Sequence, residues 1–184
     1  MTIRMSPKGT AKIKNDEGFR SFVYDDHHKV YPKVALKPGQ TPRGYATTGY
    51  GFNVGRIDWW KHPLAKEALE GKMTEKRADE ILEVKLLDFC RHLEGLVVDS
   101  VEALMNQDMR DEFCNFAFNV GIGNVSKSTC LRVLNAVKEP GDFVAVGKQM
   151  LRWVHDSEGN ELAALVERRG ANAAPFLKPT VDKR

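Results

Sequence analysis

The stretch Asn15-Asp-Glu-Gly-Phe-Arg-Ser-Phe-Val-Tyr-Asp-Asp26 reads as the place where a helix stops and a sheet begins. Ahead of it, Ser6 suits an N-cap, Pro7 the first helical position, and Gly18 the position just past a helix end. These signals predict a helix over Pro7–Glu17, about three turns long, with Glu17 in its last turn. Phe19, Phe22 and Tyr24 then read as extended or turn-like chain. From His27 to Tyr45, three prolines (Pro32, Pro38, Pro42), glycines and several lysines predict a surface loop, with a short strand around Val30–Val34. The run Gly44-Tyr-Ala-Thr-Thr-Gly-Tyr-Gly-Phe-Asn-Val-Gly55 has β-branched and aromatic residues broken by glycines, which predicts a hairpin.

Past His62-Pro63 the pattern turns helical and stays so. Thr74 is a cap for a long helix in which Ala78, Ile81, Leu82, Leu86, Phe89, Leu93 and Leu96 recur at three- and four-residue intervals. A second helix, from about Asp108 to Val120, is apolar nearly all round and is expected to be buried, with Gly121 as its stop. Ser128 is a cap for a third, Asp142 for a fourth ending near Trp153, and Asn160 for a fifth through about Ala173. The expected class is α+β, mainly α: a small N-terminal lobe (about 14–70) with a short antiparallel sheet, a linking helix (74–96) and a larger helical lobe (97–175).

With 184 residues, 42% apolar and 29% charged, the chain has the composition of one ordinary globular domain. No apolar run approaches the roughly 18 residues that span a bilayer, and the first residues lack the apolar core of an export signal. The net charge of +3 is mild, and no basic stripe interleaved with aromatics points to nucleic acid. Cys90, Cys114 and Cys130 are odd in number and widely spaced, so they are expected as buried thiols rather than disulfides or zinc ligands. Adjacent His27 and His28 point apart on extended chain, and no metal or cofactor site is expected. Gly49, Gly51 and Gly55 lack nucleotide-binding spacing.

Cutting a glycosidic bond needs one carboxylic acid to protonate the leaving oxygen and a second carboxylate across the sugar. Glu17 stands at a helix C-terminus beside Asp16, where unsatisfied carbonyls disfavour a further negative charge. Asp26, nine residues on, lies past the helix end. By themselves these residues do not separate a catalytic pair from ordinary exposed acids.

The run Glu17-Gly-Phe-Arg-Ser-Phe-Val-Tyr-Asp-Asp26, continued by Thr47-Thr-Gly-Tyr-Gly51, resembles the catalytic signature of the phage-type lysozyme family, the T-even phage muramidases of glycoside hydrolase family 24. Four further blocks are similar in the same order: Thr74-Glu75 with Ala78 and Leu82, Phe116-Ala-Phe-Asn-Val-Gly121, Ser128-Thr-Cys-Leu-Arg-Val-Leu-Asn135, and Arg152-Trp153 followed by Gly159 and Leu165-Val-Glu-Arg-Arg169. The resemblance implies a lysozyme-like fold with an active-site cleft between its lobes. It implies an N-acetylmuramidase that cuts the β-1,4 bond between N-acetylmuramic acid and N-acetylglucosamine for host-cell lysis. Glu17 is then the general acid, matched Asp26 (rather than Asp25) and Thr47 hold the attacking water, and the anomeric carbon inverts. Asn119 and Arg152 are expected to contact the glycan, and Arg168 or Arg169 to pair with Glu17. The alternatives are a lytic transglycosylase on the same bond and a non-catalytic wall-binding virion protein. The expected partners are peptidoglycan and a holin that opens the way from the host cytoplasm to the wall. A monomer without a separate wall-binding domain is expected.

The chain departs from the family at particular places. Twenty residues separate Asp26 from Thr47 where the family has five, so an insertion of about 15 residues must arch away from the site. Thr48 is the fallback for Thr47, although strand alternation points it to the other face. Phe52 stands where the family often has His, and Ala164 and Asn172 where Gly and Glu are frequent. Trp59 and Trp60 are expected in packing more than on sugar, and Trp153 in the helical lobe. Lys29, Lys33 and Lys37 are expected to be solvated, with binding of anionic envelope polymer as the alternative.

Overall fold

The computed structural model describes residues 3–27, 32–156 and 158–178. In chain order these form α1 (Pro7–Glu17), β1 (Arg20–Asp25), β2 (Ala46–Gly49), β3 (Phe52–Gly55), α2 (Pro63–Leu69), α3 (Glu75–Glu94), α4 (Asp99–Glu102), α5 (Gln107–Val120), α6 (Ile122–Val125), α7 (Thr129–Asn135), α8 (Phe143–Met150) and α9 (Ala163–Leu177). The class is α+β and mainly helical, as the sequence predicts. The chain divides into two compact units, Lys12–Lys85 and Met1–Ala11 with Leu86–Arg184.

The first unit holds the sheet. Its strands lie in the order β1-β2-β3, both pairs antiparallel. Tyr24 pairs with Thr47 and Asp25 with Ala46, while Thr47 pairs with Asn53 and Thr48 with Phe52. α1 ends at Glu17 because Gly18 takes φ +66, a left-handed conformation that a side chain resists. Ile13 on this helix is fully buried, worth roughly 1.5–3 kcal/mol of hydrophobic stabilisation. Thr74 caps α3 as expected, its Oγ1 accepting from Arg77 N at 3.1 Å.

The Asp26–Thr47 insertion is pinned down along its described length. Leu36 N donates to Val23 O (2.8 Å), Trp59 Nε1 to Gln40 O (2.8 Å), and Arg56 Nε to Pro42 O (3.3 Å). The predicted strand at Val30–Val34 begins outside the described residues, and Pro32–Leu36 is irregular. Lys33 corrects the expectation of a solvated lysine. Its ammonium donates to Asp25 O and His27 O, both at 2.8 Å, and lies 5.8 Å from the centre of the Tyr24 ring. Burial lowers its pKa against the pull of Asp25 and Asp26. Lys37 is exposed, and Lys29 lies outside the described residues.

The second unit is helical. α5 runs through its core with Met109, Asp111 and Phe113–Ala117 buried. Asn106 supplies its cap, accepting from Met109 N at 2.9 Å. The start of α1 docks on this helix through Asp111, which accepts from Ser6 N (2.8 Å) and from Ser6 Oγ. Ser128 caps α7 as predicted, accepting from Leu131 N at 3.0 Å. Asp142 and Asn160 do not cap the helices assigned to them. The Asp142 carboxylate closes the preceding turn instead, accepting from Lys138 N (2.9 Å) and Glu139 N (3.2 Å). Asn160 donates to Asp156 (3.2 Å), and α9 begins three residues later, then runs past the expected end to Leu177. Trp153 packs edge-on to Phe116, their centroids 5.9 Å apart.

The three cysteines are buried free thiols, with Cys90 and Cys114 Sγ 3.9 Å apart. Burial pushes the Cys130 thiol up to about 12. Among the described residues no group of three or more His, Cys, Asp or Glu could hold a metal ion, and no helix is long and apolar enough to cross a membrane.

Candidate active site

Glu17, Asp26 and Thr47 all belong to the sheet-bearing unit. Glu17 is the last residue of α1 and half-buried. Its carboxylate lies over the β2–β3 turn, since a Cβ built on Gly51 would stand 3.4 Å from Glu17 Oε2. That turn is held in place from α3. Buried Tyr50, between Gly49 and Gly51, donates its hydroxyl to Asp79 Oδ1 (3.0 Å) and Glu75 Oε1 (3.3 Å). Lys14, one turn before Glu17 on α1, pairs with the same Asp79 at 2.7 Å. Asp79 thus ties the end of α1 and the turn beneath Glu17 to one helix. Burial, then the bonds to Asp79 and Glu75, raise the Tyr50 pKa, so the phenol keeps the proton that this arrangement needs. The Lys14 ammonium holds the Asp79 carboxyl below its usual range.

Asp25 and Asp26 differ sharply. Asp25 is 7% exposed, and its carboxylate accepts from three backbone N–H groups: His27 (3.0 Å), Arg43 (2.6 Å) and Gly44 (3.0 Å). Burial alone would raise its pKa, but the three N–H donors and Lys33 outweigh it and hold the group low. Asp25 is thus committed to closing the base of the insertion. Asp26 is exposed. Its Oδ1 accepts from Tyr45 N (2.7 Å), and its own N donates to Tyr45 O (3.0 Å).

The backbone bond from Asp26 N to Tyr45 O extends the β1–β2 register one pair beyond the strands, while the return bond is accepted by the Asp26 side chain. Side chains alternate faces along each strand and cross-strand partners share a face. Tyr24 on β1 therefore shares one face with Thr47 and Asn53, and continuing the register past the strand ends puts Asp26 and Tyr45 on that face. Asp25, Ala46, Thr48 and Phe52 occupy the other. The insertion brings Asp26 and Thr47 back as diagonal neighbours, roughly 7–8 Å apart for such a pair. Thr47 is buried, and its Oγ1 donates over a long 3.4 Å to Tyr45 O. Thr48 is fully buried, and its Oγ1 has no hydrogen-bond partner among the described residues.

Tyr24 is a residue that the sequence alone did not single out. Burial raises its pKa first; Arg20 opposes this, and the charges of Glu17 and Asp26 both add to it. Tyr24 therefore lies within electrostatic reach of both acids. The signal was present as an aromatic two residues before Asp26, on the same face by alternation.

The remaining candidates lie in the helical unit. Arg169 is 2% exposed, and its guanidinium donates to Trp153 O (3.0 Å), Asn172 Oδ1 (3.0 Å) and Asn119 Oδ1, lying over the Phe116 ring. Arg168 donates to Asn115 Oδ1 at 3.3 Å. Arg152 is exposed and donates to Gln149 Oε1 at 3.1 Å. Trp59 is not a sugar platform, because it is buried to 1% exposure with its ring N–H on Gln40. A cavity of about 600 Å³ between α7 and α8, lined by Val133, Val137 and Lys148 among others, contains none of the candidate catalytic residues.

Residues 14–172 match the model of the family described as Phage lysozyme. The chain belongs to the phage lysozyme family. It is thereby a glycosidase of the lysozyme class, in a family of endolysin-type peptidoglycan hydrolases. It is 28% identical over 179 residues to the endolysin of Bacillus phage B103, covering 95% of this chain and 54% of that one. The match to the endolysin of Salmonella phage P22 is 26% over 176 residues, covering 95% of this chain and 99% of the relative. The chain thus spans about half the B103 endolysin but nearly the whole of the P22 protein. In structure it is similar to the muramidase domain of SpmX from Asticaccaulis excentricus, with a TM-score of 0.64, 24% identity, and coverage of 96% of this chain and 99% of that domain. That likeness establishes the lysozyme-like fold.

Proposed function

We propose that this phage lysozyme is an N-acetylmuramidase. It cuts the β-1,4 bond between N-acetylmuramic acid and N-acetylglucosamine, with Glu17 protonating the leaving oxygen. Asp26 and Thr47 hold a water on the opposite face of the sugar. Inversion follows from attack by that water, and inverting enzymes keep their carboxyl groups roughly 6.5–9.5 Å apart. The observation that carries the reading is the register of the β1–β2 ladder. It returns Thr47 to the face of Asp26 across an insertion that could have separated them. The exposed carboxylate of Asp26, against the locked one of Asp25, supports Asp26 as the functional member of that pair.

The same proposal includes Asn119 and Arg152 as glycan contacts and Arg168 or Arg169 as the partner of Glu17. The pairing is tested by pH–activity profiles of Arg168→Ala and Arg169→Ala; if neither shifts a limb, it is wrong. The protein acts as a monomer in host-cell lysis, reaching the wall from the host cytoplasm through a holin. Mass spectrometry of released muropeptides tests the chemistry. Hydrolysis leaves reducing N-acetylmuramic acid ends, whereas anhydro ends would make the enzyme a transglycosylase and remove the role of the Asp26–Thr47 water.

A further inference from the structure

Tyr45 stands where the sheet face carrying Asp26 and Thr47 opens to solvent. It is the cross-strand partner of Asp26, joined to it through both backbone nitrogens. The residue is 52% exposed, unlike buried Tyr24 and Thr47 further along the same face. Its hydroxyl has no hydrogen-bond partner among the described residues, so polar bonding does not account for a tyrosine here, and half of the residue faces solvent. The backbone that carries it is held firmly. The preceding Arg43 and Gly44 N–H groups are bound to Asp25, and Pro42 O is bound by Arg56. A ring on so fixed a backbone loses little freedom when a ligand covers it.

We propose that Tyr45 is a sugar platform, stacking its ring on the apolar C–H face of a pyranose in the glycan strand next to the bond being cut. The chemistry fits an aromatic ring. One face of a pyranose presents C–H groups that are drawn to the electron-rich ring face, while its hydroxyls stay directed outward to solvent. The adjacent pair of Asp26 with Tyr45 then couples the water-holding end of the site to a binding surface supplied by the end of the insertion. This inference rests on the reading of Asp26 and Thr47 given above.

The test compares wild type with Tyr45→Ala, Tyr45→Phe and Tyr45→Trp in initial-rate assays on purified sacculi. Stacking predicts a KM about fivefold higher for Tyr45→Ala with kcat within about twofold of wild type, and near wild-type KM for Phe and Trp. Unchanged KM in Tyr45→Ala overturns the proposal. So does Tyr45→Phe being as weak as Ala, which would place the effect on the hydroxyl, and so does a fall confined to kcat, which would place it on Asp26. A second arm pelletes Glu17→Gln protein with sacculi, with and without Tyr45→Ala. It reads binding without turnover, and the proposal expects weaker pelleting for the double variant. If wild type proves inactive on sacculi, the functional reading fails while this arm still judges Tyr45.

Discussion

Gly44 lies so close to Asp26 that a Cβ on it would overlap Asp26 Oδ1 and stand 3.0 Å from His27 N. No real Cβ tolerates such a contact, so any side chain at position 44 must push the Asp26 carboxylate aside. Gly44→Ala is therefore a displacement of Asp26 without a change of its chemistry. With Asp26 holding the water as proposed, the expected outcome is a kcat lower by about two orders of magnitude, the scale that a misplacement of about 1 Å can reach. Steady-state lysis of sacculi with a melting curve checks this, and wild-type kcat in a folded Gly44→Ala protein would refute it.

Asp25→Asn and Asp26→Asn should separate structure from catalysis. Asp25→Asn weakens the base of the insertion, costing roughly 1–3 kcal/mol of stability. Asp26→Asn should leave the melting temperature near wild type and remove most activity. Because the folded-state pKa of Asp25 is depressed, its stabilisation is present above the ordinary aspartate value, near 3.9, and is lost as pH falls below it. Melting temperatures between pH 6 and pH 2.5 should therefore fall less steeply for Asp25→Asn than for wild type.

The two threonines make opposite predictions. Thr48→Val replaces a fully buried hydroxyl that lacks a hydrogen-bond partner, so the variant is expected to be as stable as wild type or more stable by about 1 kcal/mol. Its activity should be retained. Thr47→Val removes the hydroxyl on the Asp26 face and should lower kcat at least tenfold with little change in stability. A loss of activity in Thr48→Val alone would transfer the role to Thr48.

Tyr50→Phe cuts the bonds from the β2–β3 turn to Asp79 and Glu75. The expected cost is about 1 kcal/mol of stability, together with a several-fold fall in kcat because the turn beneath Glu17 is no longer tied to α3. Chemical denaturation and sacculus lysis read the two effects, and a stability loss with unchanged kcat would detach Tyr50 from the site.

Arg169→Lys should destabilise nearly as much as Arg169→Ala, roughly 2–4 kcal/mol. An ammonium cannot reproduce the planar fork that reaches Trp153 O, Asn172 and Asn119. Thermal unfolding of both variants checks this.

Local signals made much of the fold legible. Ser6, Pro7 and Gly18 bracket α1 through backbone preferences that need no tertiary partner, and the apolar spacing of α3 and α5 reports a buried face directly. Asp142 and Asn160 misled because competing groups took their side chains: the Lys138 and Glu139 N–H groups in one case, Asp156 in the other. α4 and α6, four residues each, are too short to show a period. At the site, alternation was enough to put Thr47 and Thr48 on opposite faces of the sheet. The anchoring of the insertion by Asp25, Lys33 and Trp59 depends on contacts distant in sequence. So does the Tyr50–Asp79–Lys14 network under Glu17, and no local pattern announces either.

The account stands most directly on Glu17. The decisive measurement is the rate at which Glu17→Gln clears purified sacculi relative to wild type, with both proteins shown to be folded by their melting curves. Loss of the group proposed to protonate the leaving oxygen predicts a fall of at least about 10²–10⁴-fold at unchanged stability. Clearing at the wild-type rate would contradict the assignment and return Glu17 to an ordinary acid at a helix end.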